Sequence, residues 1–252
     1  FMASALVIGG AVFGPAVIHS ALAQGGVSAL APLPATADAA PEMNAFLKAD
    51  QKQMPPPGAV LFMGSSSVRI WDTLAQDFPE IPVINRGFGG SEIFESTLYL
   101  DRIAITYKPK LIIMFAGTND LAYGNKNPQQ VLQEYTDFVT KVHAALPDTR
   151  IAFISISPTV ARWNNEANVL EANHLIQDYT FKNNSPTLKL DFIDTHSRLL
   201  TLDGKPQPKL LRADGLHFNA DGYKVFTAIV KPQIMALADM EGVKRLDAPL
   251  SP

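Results

Sequence analysis

The segment Ala59-Val-Leu-Phe-Met-Gly-Ser-Ser-Ser67 indicates the fold class of this chain. It joins five consecutive apolar residues to a glycine and three serines. Consecutive apolar positions are typical of a strand that is buried on both faces of a parallel sheet, and a glycine commonly marks the end of such a strand. The segment therefore predicts a central strand that is followed directly by a polar loop.

Four later segments have the same short apolar character, and longer amphipathic segments separate them. The predicted strands are 59–63, 82–85, 111–115, 151–156 and 189–193, and the predicted helices are 67–78, 91–107, 128–145, 166–182 and 219–238. Strands that alternate with helices imply right-handed crossovers. The pattern predicts an α/β fold, a three-layer α/β/α sandwich with a five-stranded parallel sheet. We expect Pro232 to end or kink the last helix.

The composition divides the chain into four parts. Residues 59–240 carry the alternating pattern and form the predicted folded domain, and residues 241–252 form a C-terminal tail. Residues 24–58 begin with a stretch rich in Ala, Pro, Gly and Ser, which predicts a linker before a short helix. Residues 1–23 contain no charge and end in Ala-Leu-Ala, which predicts a cleaved signal peptide, with a membrane anchor as the alternative. The expected location is therefore exported, either periplasmic or secreted.

The composition also excludes several kinds of protein. The chain has no cysteine, which rules out disulfides, thiolate zinc sites and a cysteine nucleophile. Its formal net charge is -3 without a long run of either sign, so nucleic acid is not an expected partner. No group of residues has the spacing of metal ligands, and the glycines near residue 87 lack the dinucleotide-binding spacing. We predict no metal and no cofactor, and the oligomeric state stays open.

Polar signatures follow the predicted strands at the points where these end. They are Gly64-Ser-Ser-Ser67, Asn85-Arg-Gly-Phe-Gly-Gly-Ser91, Gly117-Thr-Asn-Asp120 and, in the loop after the fifth strand, Asp214-Gly-Leu-His217. Parallel strands all point the same way, and open α/β sheets bind ligands outside the carboxyl ends of their strands. Four distant segments are therefore expected to meet at one site.

The residue types in these signatures suit ester hydrolysis by a serine. All three serines of the first signature qualify by position as the nucleophile, which needs a base to take its proton. The carboxylate of Asp214 can hold the imidazole of His217 so that the far ring nitrogen faces that serine. His196 is the alternative base, although it follows the fifth strand directly and lacks the reach of the later loop. Gly90 and Asn119 could supply hydrogen bonds to an oxyanion, and their structural alternatives are a tight turn and an Asx-turn.

Taken in order, the four signatures resemble the four sequence blocks of the SGNH (GDSL-type) hydrolases, a family of esterases and acylhydrolases. The resemblance spans about residues 59–235 and implies the flavodoxin-like SGNH hydrolase fold. It implies Ser66 as the nucleophile, which forms an acyl-enzyme, with Asp214 and His217 completing a triad. It also implies that an oxyanion hole forms from Ser66, Gly90 and Asn119.

One position departs from the family pattern. Ser65 stands where the family usually has an aspartate. That aspartate is not the acid of the triad, so its replacement need not abolish catalysis.

Evidence for the substrate comes from three residues near the same sheet edge. Arg162 and Trp163 follow the fourth strand, and Phe88 lies among the glycines of the second signature. An aromatic ring beside an arginine could stack on a sugar or pack on an acyl chain, whereas ordinary packing is the alternative for Phe88. No apolar insertion suggests a lid, so we expect short-chain acyl esters, including acetyl esters of carbohydrates. A lysophospholipase or thioesterase, and a non-catalytic module that binds the cell envelope or carbohydrate, are the alternatives.

Overall fold

A sheet of five parallel strands forms the centre of the molecule. The structure is a computed structural model and describes residues 40–246. The strands are β1 (Val60–Gly64), β2 (Val83–Gly87), β3 (Leu111–Phe115), β4 (Arg150–Ile154) and β5 (Leu190–Ile193). Their order across the sheet is β2-β1-β3-β4-β5, and every neighbouring pair is parallel. The predicted five-stranded parallel sheet is confirmed.

Helices cover both faces of this sheet. They are α1 (Ala40–Lys52), α2 (Ser66–Arg69), α3 (Leu74–Asp77), α4 (Ile93–Leu98), α5 (Leu100–Ile103), α6 (Thr118–Ala122), α7 (Pro128–Ala145), α8 (Glu166–Asn183) and α9 (Ala220–Met240). On one face, the ring of Phe226 in α9 lies 5.0 Å from the ring of Phe115 in β3. On the other face, Tyr135 of α7 lies 5.0 Å from Phe153 of β4. The predicted three-layer arrangement is confirmed, because apolar side chains leave the sheet on both sides.

Two predicted helices are each divided into shorter ones. The predicted helix 67–78 corresponds to α2, which begins one residue earlier, and α3, and residues 91–107 contain α4, α5 and a 3₁₀ turn at 105–107. Between α2 and α3, the carboxylate of Asp77 accepts hydrogen bonds from the indole of Trp71 at 2.6 Å and from the hydroxyl of Thr73 at 2.8 Å. These bonds tie the segment between the two helices to the end of α3.

Of the two effects expected of Pro232, an end of the last helix does not occur. Helix α9 continues through Pro232 to Met240. A proline inside a helix removes one backbone hydrogen bond and crowds the preceding turn. The turns beyond it nevertheless bury Ile234 and Leu237 against the core. This apolar burial stabilises the helix after the proline.

Segments on both sides of residues 59–240 pack against that domain. In α1, Asp50 pairs with the guanidinium of Arg86 at 2.5 Å and accepts a hydrogen bond from the hydroxyl of Tyr107. After α9, Glu241 accepts a hydrogen bond from Arg150 at 2.8 Å. The packed part of the chain is thus longer than the alternating pattern alone.

Residues 1–39 and 247–252 lie outside the described residues. The predicted leader at 1–23, much of the predicted linker and the end of the tail fall in these ranges. Among the described helices, none combines the length and the apolar composition that crossing a membrane requires.

Candidate active site

The serine loop connects β1 to α2 at the carboxyl edge of the sheet. Strand β1 ends at Gly64, whose φ of 136° turns the chain, and α2 begins at Ser66. The N–H of Phe88 donates to the carbonyl of Gly64 at 3.0 Å, and the N–H of Ser65 donates to the carbonyl of Phe115 at 3.3 Å. These bonds hold the loop between β2 and β3. The first N–H groups of a helix have no partner within it, so the N–H of Ser66 is available to a ligand.

A continuous chain of hydrogen bonds joins this serine to the loop before α9. Ser66 Oγ lies 2.8 Å from His217 Nε2, although the two residues are 151 positions apart. On the other side of the ring, His217 Nδ1 lies 2.8 Å from Asp214 Oδ2. This is the order of groups through which a carboxylate orients an imidazole toward a nucleophile.

The loop that carries the histidine is closed by its own backbone. The N–H of Arg212 donates to the carbonyl of His217 at 2.7 Å, and the N–H of Gly215 donates to the carbonyl of Arg212 at 2.9 Å. Oδ1 of Asp214 accepts the backbone N–H groups of Leu216 at 2.9 Å and His217 at 3.0 Å. One carboxylate oxygen therefore fixes the turn, and the other fixes the ring.

The electrostatics of Asp214 favour its charged form. Burial raises the pKa of this carboxyl group, but the hydrogen bonds from the ring and backbone of His217 and from the backbone of Leu216 outweigh burial and lower the pKa to about 2. Asp214 is therefore ionised at neutral pH. An ionised acceptor at Nδ1 keeps the proton on that nitrogen and leaves Nε2 able to accept the serine proton.

Asn119 is buried at the start of α6 and is held at both ends of its amide. Its Nδ2 donates to the carbonyl of Ser91 at 3.0 Å, and its Oδ1 accepts from Arg162 Nη1 at 2.9 Å. An amide nitrogen carries two hydrogens. The second hydrogen of Asn119 Nδ2 is thus available to an oxyanion in the cleft.

Gly90 lies next to Ser91 in the loop between β2 and α4. Its φ is 72°, it is exposed, and nothing lies within 4 Å of the position that a Cβ atom would take. The backbone of Gly90 is therefore open to a ligand, although Gly90 is not among the residues that line the catalytic cleft.

The catalytic cleft is a small polar depression around the serine hydroxyl. It encloses about 350 Å³, part of which is open to solvent, and its walls include Ser66, Asn119, Arg162 and His217. Two wall residues that the sequence analysis missed are Ser157 and Thr159, which follow β4. Their position shortly after β4 could have indicated this role, because β4 ends at the same edge of the sheet at which the four polar signatures lie.

The three predicted substrate-binding residues lie in different surroundings. Arg162 lines the cleft. Trp163 is not among the lining residues, and the ammonium of Lys205 lies 5.4 Å from its ring centroid. The ring of Phe88 is buried, with its centroid 5.9 Å from that of Tyr99. The side chain of Phe88 thus packs in the core, which was its structural alternative.

His196, the alternative base, lies away from the cleft. Its Nε2 is 2.8 Å from Glu166 Oε1, and its side chain is buried. Only His217 of these two histidines is within hydrogen-bonding distance of Ser66.

A charged cluster lies behind the oxyanion residues. Glu92, Asp120 and Glu134 have carboxylate oxygens within 4.8 Å of one another, which is the one such acidic group among residues 40–246. The ammonium of Lys126 contacts Glu92, lies 2.6 Å from Glu134 and lies 3.6 Å from Asp120, so it supplies the positive charge that a cation would bring. Oδ1 of Asp120 also accepts the N–H of Ile93 at 3.0 Å and thereby joins α6 to α4.

The cluster changes the titration of its most buried member. Burial raises the pKa of Asp120, and the hydrogen bond with Glu134 raises it further. The N–H of Ile93 and the charge of Lys126 lower it, and the result is a pKa of about 7. Asp120 therefore binds a proton more tightly in the folded protein than in the unfolded chain.

We expect Asp120→Asn to change how stability depends on pH. Between about pH 4 and pH 7 the folded wild type keeps a proton on Asp120 that the unfolded chain has lost, so the contribution of Asp120 to the free energy of unfolding falls as pH rises. Asparagine does not titrate and can still accept the N–H of Ile93. Urea denaturation measures the unfolding free energy of both proteins. The value for the variant minus the value for the wild type should therefore increase as pH rises through this window.

The half-exposed Asp178 provides a matched control, since Asp178→Asn removes a carboxylate whose ion-pair partner is the exposed Lys182. A difference between wild type and Asp120→Asn that stays constant from pH 4 to pH 7 would contradict the prediction.

Comparisons with known proteins give a family match and a fold. The model of the GDSL-like lipase/acylhydrolase family matches residues 62–225, which include all four polar signatures. A GDSL-like lipase from Bacteroides thetaiotaomicron VPI-5482 is 21% identical, with 77% of this chain and 97% of that chain covered and a TM-score of 0.63. No curated protein matches the chain in sequence.

Two other solved structures are similar. The lipase/acylhydrolase from Enterococcus faecalis is 20% identical, with 75% of this chain and 100% of that chain covered and a TM-score of 0.57. A carbohydrate esterase family 3 protein from Talaromyces cellulolyticus is 16% identical, with 72% and 98% covered and a TM-score of 0.59. At these identities the likeness shows the fold alone.

Proposed function

The chain belongs to the GDSL-like lipase/acylhydrolase family and is a carboxylic ester hydrolase, and from this premise we propose that it cleaves short-chain acyl esters through Ser66, His217 and Asp214. The observation that carries the proposal is the chain of two 2.8 Å contacts from the serine hydroxyl through the imidazole to the carboxylate. A nucleophile bonded to a base that is itself oriented by an acid is the arrangement that serine hydrolysis requires.

The reaction proceeds in two stages. Ser66 Oγ attacks the ester carbonyl carbon while its proton passes to His217 Nε2, and the tetrahedral intermediate then collapses. The C–O bond to the alcohol breaks, and the alcohol leaves with the proton from His217. Water then attacks the acyl-enzyme with the same histidine as base, which releases the carboxylic acid and restores the serine.

We propose three hydrogen-bond donors for the negative charge that develops on the carbonyl oxygen. They are the N–H of Ser66 at the start of α2, the N–H of Gly90 and the second Nδ2 hydrogen of Asn119. Donors that are already held in place stabilise the oxyanion without reorganisation. The bond from Arg162 to Asn119 Oδ1 and the bond from Asn119 Nδ2 to the carbonyl of Ser91 together fix the orientation of this amide.

The size and polarity of the catalytic cleft support a small acyl group. Hydroxyls of Ser157 and Thr159, together with Arg162, give it polar walls, and a long alkyl chain would leave these groups without hydrogen-bond partners. The carbohydrate esterase among the similar structures, and an acetyl xylan esterase of the same fold, support acetyl esters of carbohydrates as substrates. We also propose an exported protein, on the basis of the uncharged residues 1–23.

A series of p-nitrophenyl esters tests the acyl specificity. We expect kcat/KM for the acetate to exceed that for the octanoate by at least about tenfold, since a small pocket discriminates against added methylenes. A preference for octanoate, or for acyl thioesters and lysophospholipids over acetate, would favour the alternative family activities. Failure to hydrolyse any ester would favour the non-catalytic binding module.

A further inference from the structure

A larger cavity adjoins the catalytic cleft. It encloses about 1030 Å³, including its opening to solvent, and shares Arg162 and Leu216 with the cleft. We propose that this cavity, which we call the alcohol-side cavity, binds a sugar ring that carries the ester on one of its hydroxyls. The inference rests on the proposed esterase function and adds a binding site for the alcohol part of the substrate.

The position of the cavity relative to His217 assigns it to the alcohol. The leaving oxygen must lie close to His217 Nε2, because this nitrogen returns the proton to it. Asp214 and Leu216, which belong to the same tight loop as His217, both line the alcohol-side cavity. A substrate with a small acyl group in the catalytic cleft therefore extends its alcohol past this loop.

Two loops form the walls of the alcohol-side cavity, and they are joined directly. Residues 121–125 comprise the end of α6 and the turn after it, and residues 161–165 follow β4. The side-chain Nδ2 of Asn165 donates to the carbonyl of Leu121 at 3.1 Å. The guanidinium of Arg162 lies 4.5 Å from the ring centroid of Tyr123. These contacts make the walls a preformed surface rather than two independent loops.

The side chains on these walls match a polyhydroxylated ring. Tyr123 is 70% exposed and lines the cavity, so the part of its ring that Arg162 does not cover offers apolar surface to the C–H face of a sugar. Asn125 and Asn164 are exposed, and each amide offers both donors and an acceptor, which is the combination that neighbouring hydroxyls need. Ligand sites commonly combine an apolar surface with a few such orienting polar groups.

The same walls disfavour two other kinds of alcohol. A quaternary ammonium alcohol such as choline would bring its positive charge close to the positively charged guanidinium of Arg162. A long alkyl alcohol would leave the amides of Asn125 and Asn164 without partners where it covers them. A neutral ring with several hydroxyls brings no positive charge to Arg162 and offers hydrogen-bond partners to both amides.

Three acetate esters with different alcohols test the assignment. The probes are a mono-O-acetylated methyl glucopyranoside, octyl acetate and acetylcholine, all hydrolysed by the full chain under one set of conditions. We expect kcat/KM for the sugar acetate to exceed the other two values by at least about tenfold, which corresponds to one or two added hydrogen bonds. A higher value for octyl acetate or acetylcholine would overturn the proposal.

Two variants locate the effect. Asn164→Ala leaves the bond between Arg162 and Asn119 in place and should raise KM for the sugar acetate about fivefold to tenfold, with little change in kcat. Tyr123→Ala should lower kcat/KM for the sugar acetate at least about fivefold more than for p-nitrophenyl acetate. Phe181→Ala, which removes an aromatic ring that is 84% exposed on α8, is the matched control and should change neither value.

The outcomes separate the two proposals. Equal effects of the Tyr123 and Asn164 variants on both substrates, or no effect on either, would reject the sugar subsite while the esterase remains. Absence of p-nitrophenyl acetate hydrolysis by the wild type would reject the esterase function itself, and the subsite with it.

Discussion

Replacing Ser66 with alanine should lower kcat/KM for p-nitrophenyl acetate by a factor of about 10⁴ or more. The substitution removes the only atom that forms the acyl-enzyme, while the oxyanion donors stay in place. The residual rate should come from these donors and from substrate binding alone. Steady-state kinetics on the purified full chain measures the effect, and circular dichroism shows whether the variant is folded.

The neighbouring serines supply the controls for this prediction. Ser67 lies in the same four-residue helix, and Tyr223 donates a hydrogen bond at 2.8 Å to its carbonyl, not to its hydroxyl. We expect Ser67→Ala to retain activity within about tenfold of the wild type, because His217 Nε2 is bonded to the hydroxyl of Ser66, although Ser67 also lines the cleft. A fluorophosphonate should label Ser66 in the wild type, as located by mass spectrometry. Label on Ser65 or Ser67 would contradict the assignment.

The second large effect is expected on folding stability. Gly64→Ala should lower the free energy of unfolding by about 4 kcal/mol, from backbone strain together with overpacking. Gly64 has a φ of 136°, and an added Cβ would lie 2.1 Å from the carbonyl oxygen of Phe115. That oxygen belongs to the backbone of β3 and cannot rotate away as a flexible side chain could. Urea denaturation of wild type and variant measures the difference.

The variant Gly204→Ala separates the contribution of backbone strain from the contribution of overpacking. Gly204 also has a positive φ, 72°, but nothing lies within 4 Å of the position of its added Cβ. The control should therefore lose only the strain contribution, about 1 kcal/mol. Similar losses in the two variants would show that crowding by Phe115 is unimportant. A loss of 4 kcal/mol is a large fraction of the roughly 5–15 kcal/mol that stabilises a typical domain.

Local patterns were sufficient for the sheet and for the family. Each buried strand is a short run of apolar residues, and this run identifies the strand in the sequence without knowledge of its neighbours in the sheet. Strands β1 and β3 are examples. The polar signatures could be assigned to one edge because parallel strands have a common direction. The ordered set of four signatures predicted the family, which the match over residues 62–225 confirms.

Helix boundaries were less predictable for a physical reason. The segment between α2 and α3 is fastened by bonds from Trp71 and Thr73 to Asp77, and the continuation of α9 past Pro232 depends on burial of the following turns. Both are decided by partners whose positions cannot be read from local spacing. The burial of Phe88 against Tyr99 is of the same kind.

From the amino-acid order one could infer the α/β class, the five parallel strands, the family and a short list of reactive residues, because each depends on local periodicity or on a motif. Only the tertiary structure determined the 2.8 Å contacts of His217, the hydrogen bond from Arg162 to Asn119 and the cavity beside Tyr123. These features join residues that are far apart in the chain. Side-chain packing and hydrogen-bond geometry across the loops determine them, and neither has a signature in the sequence.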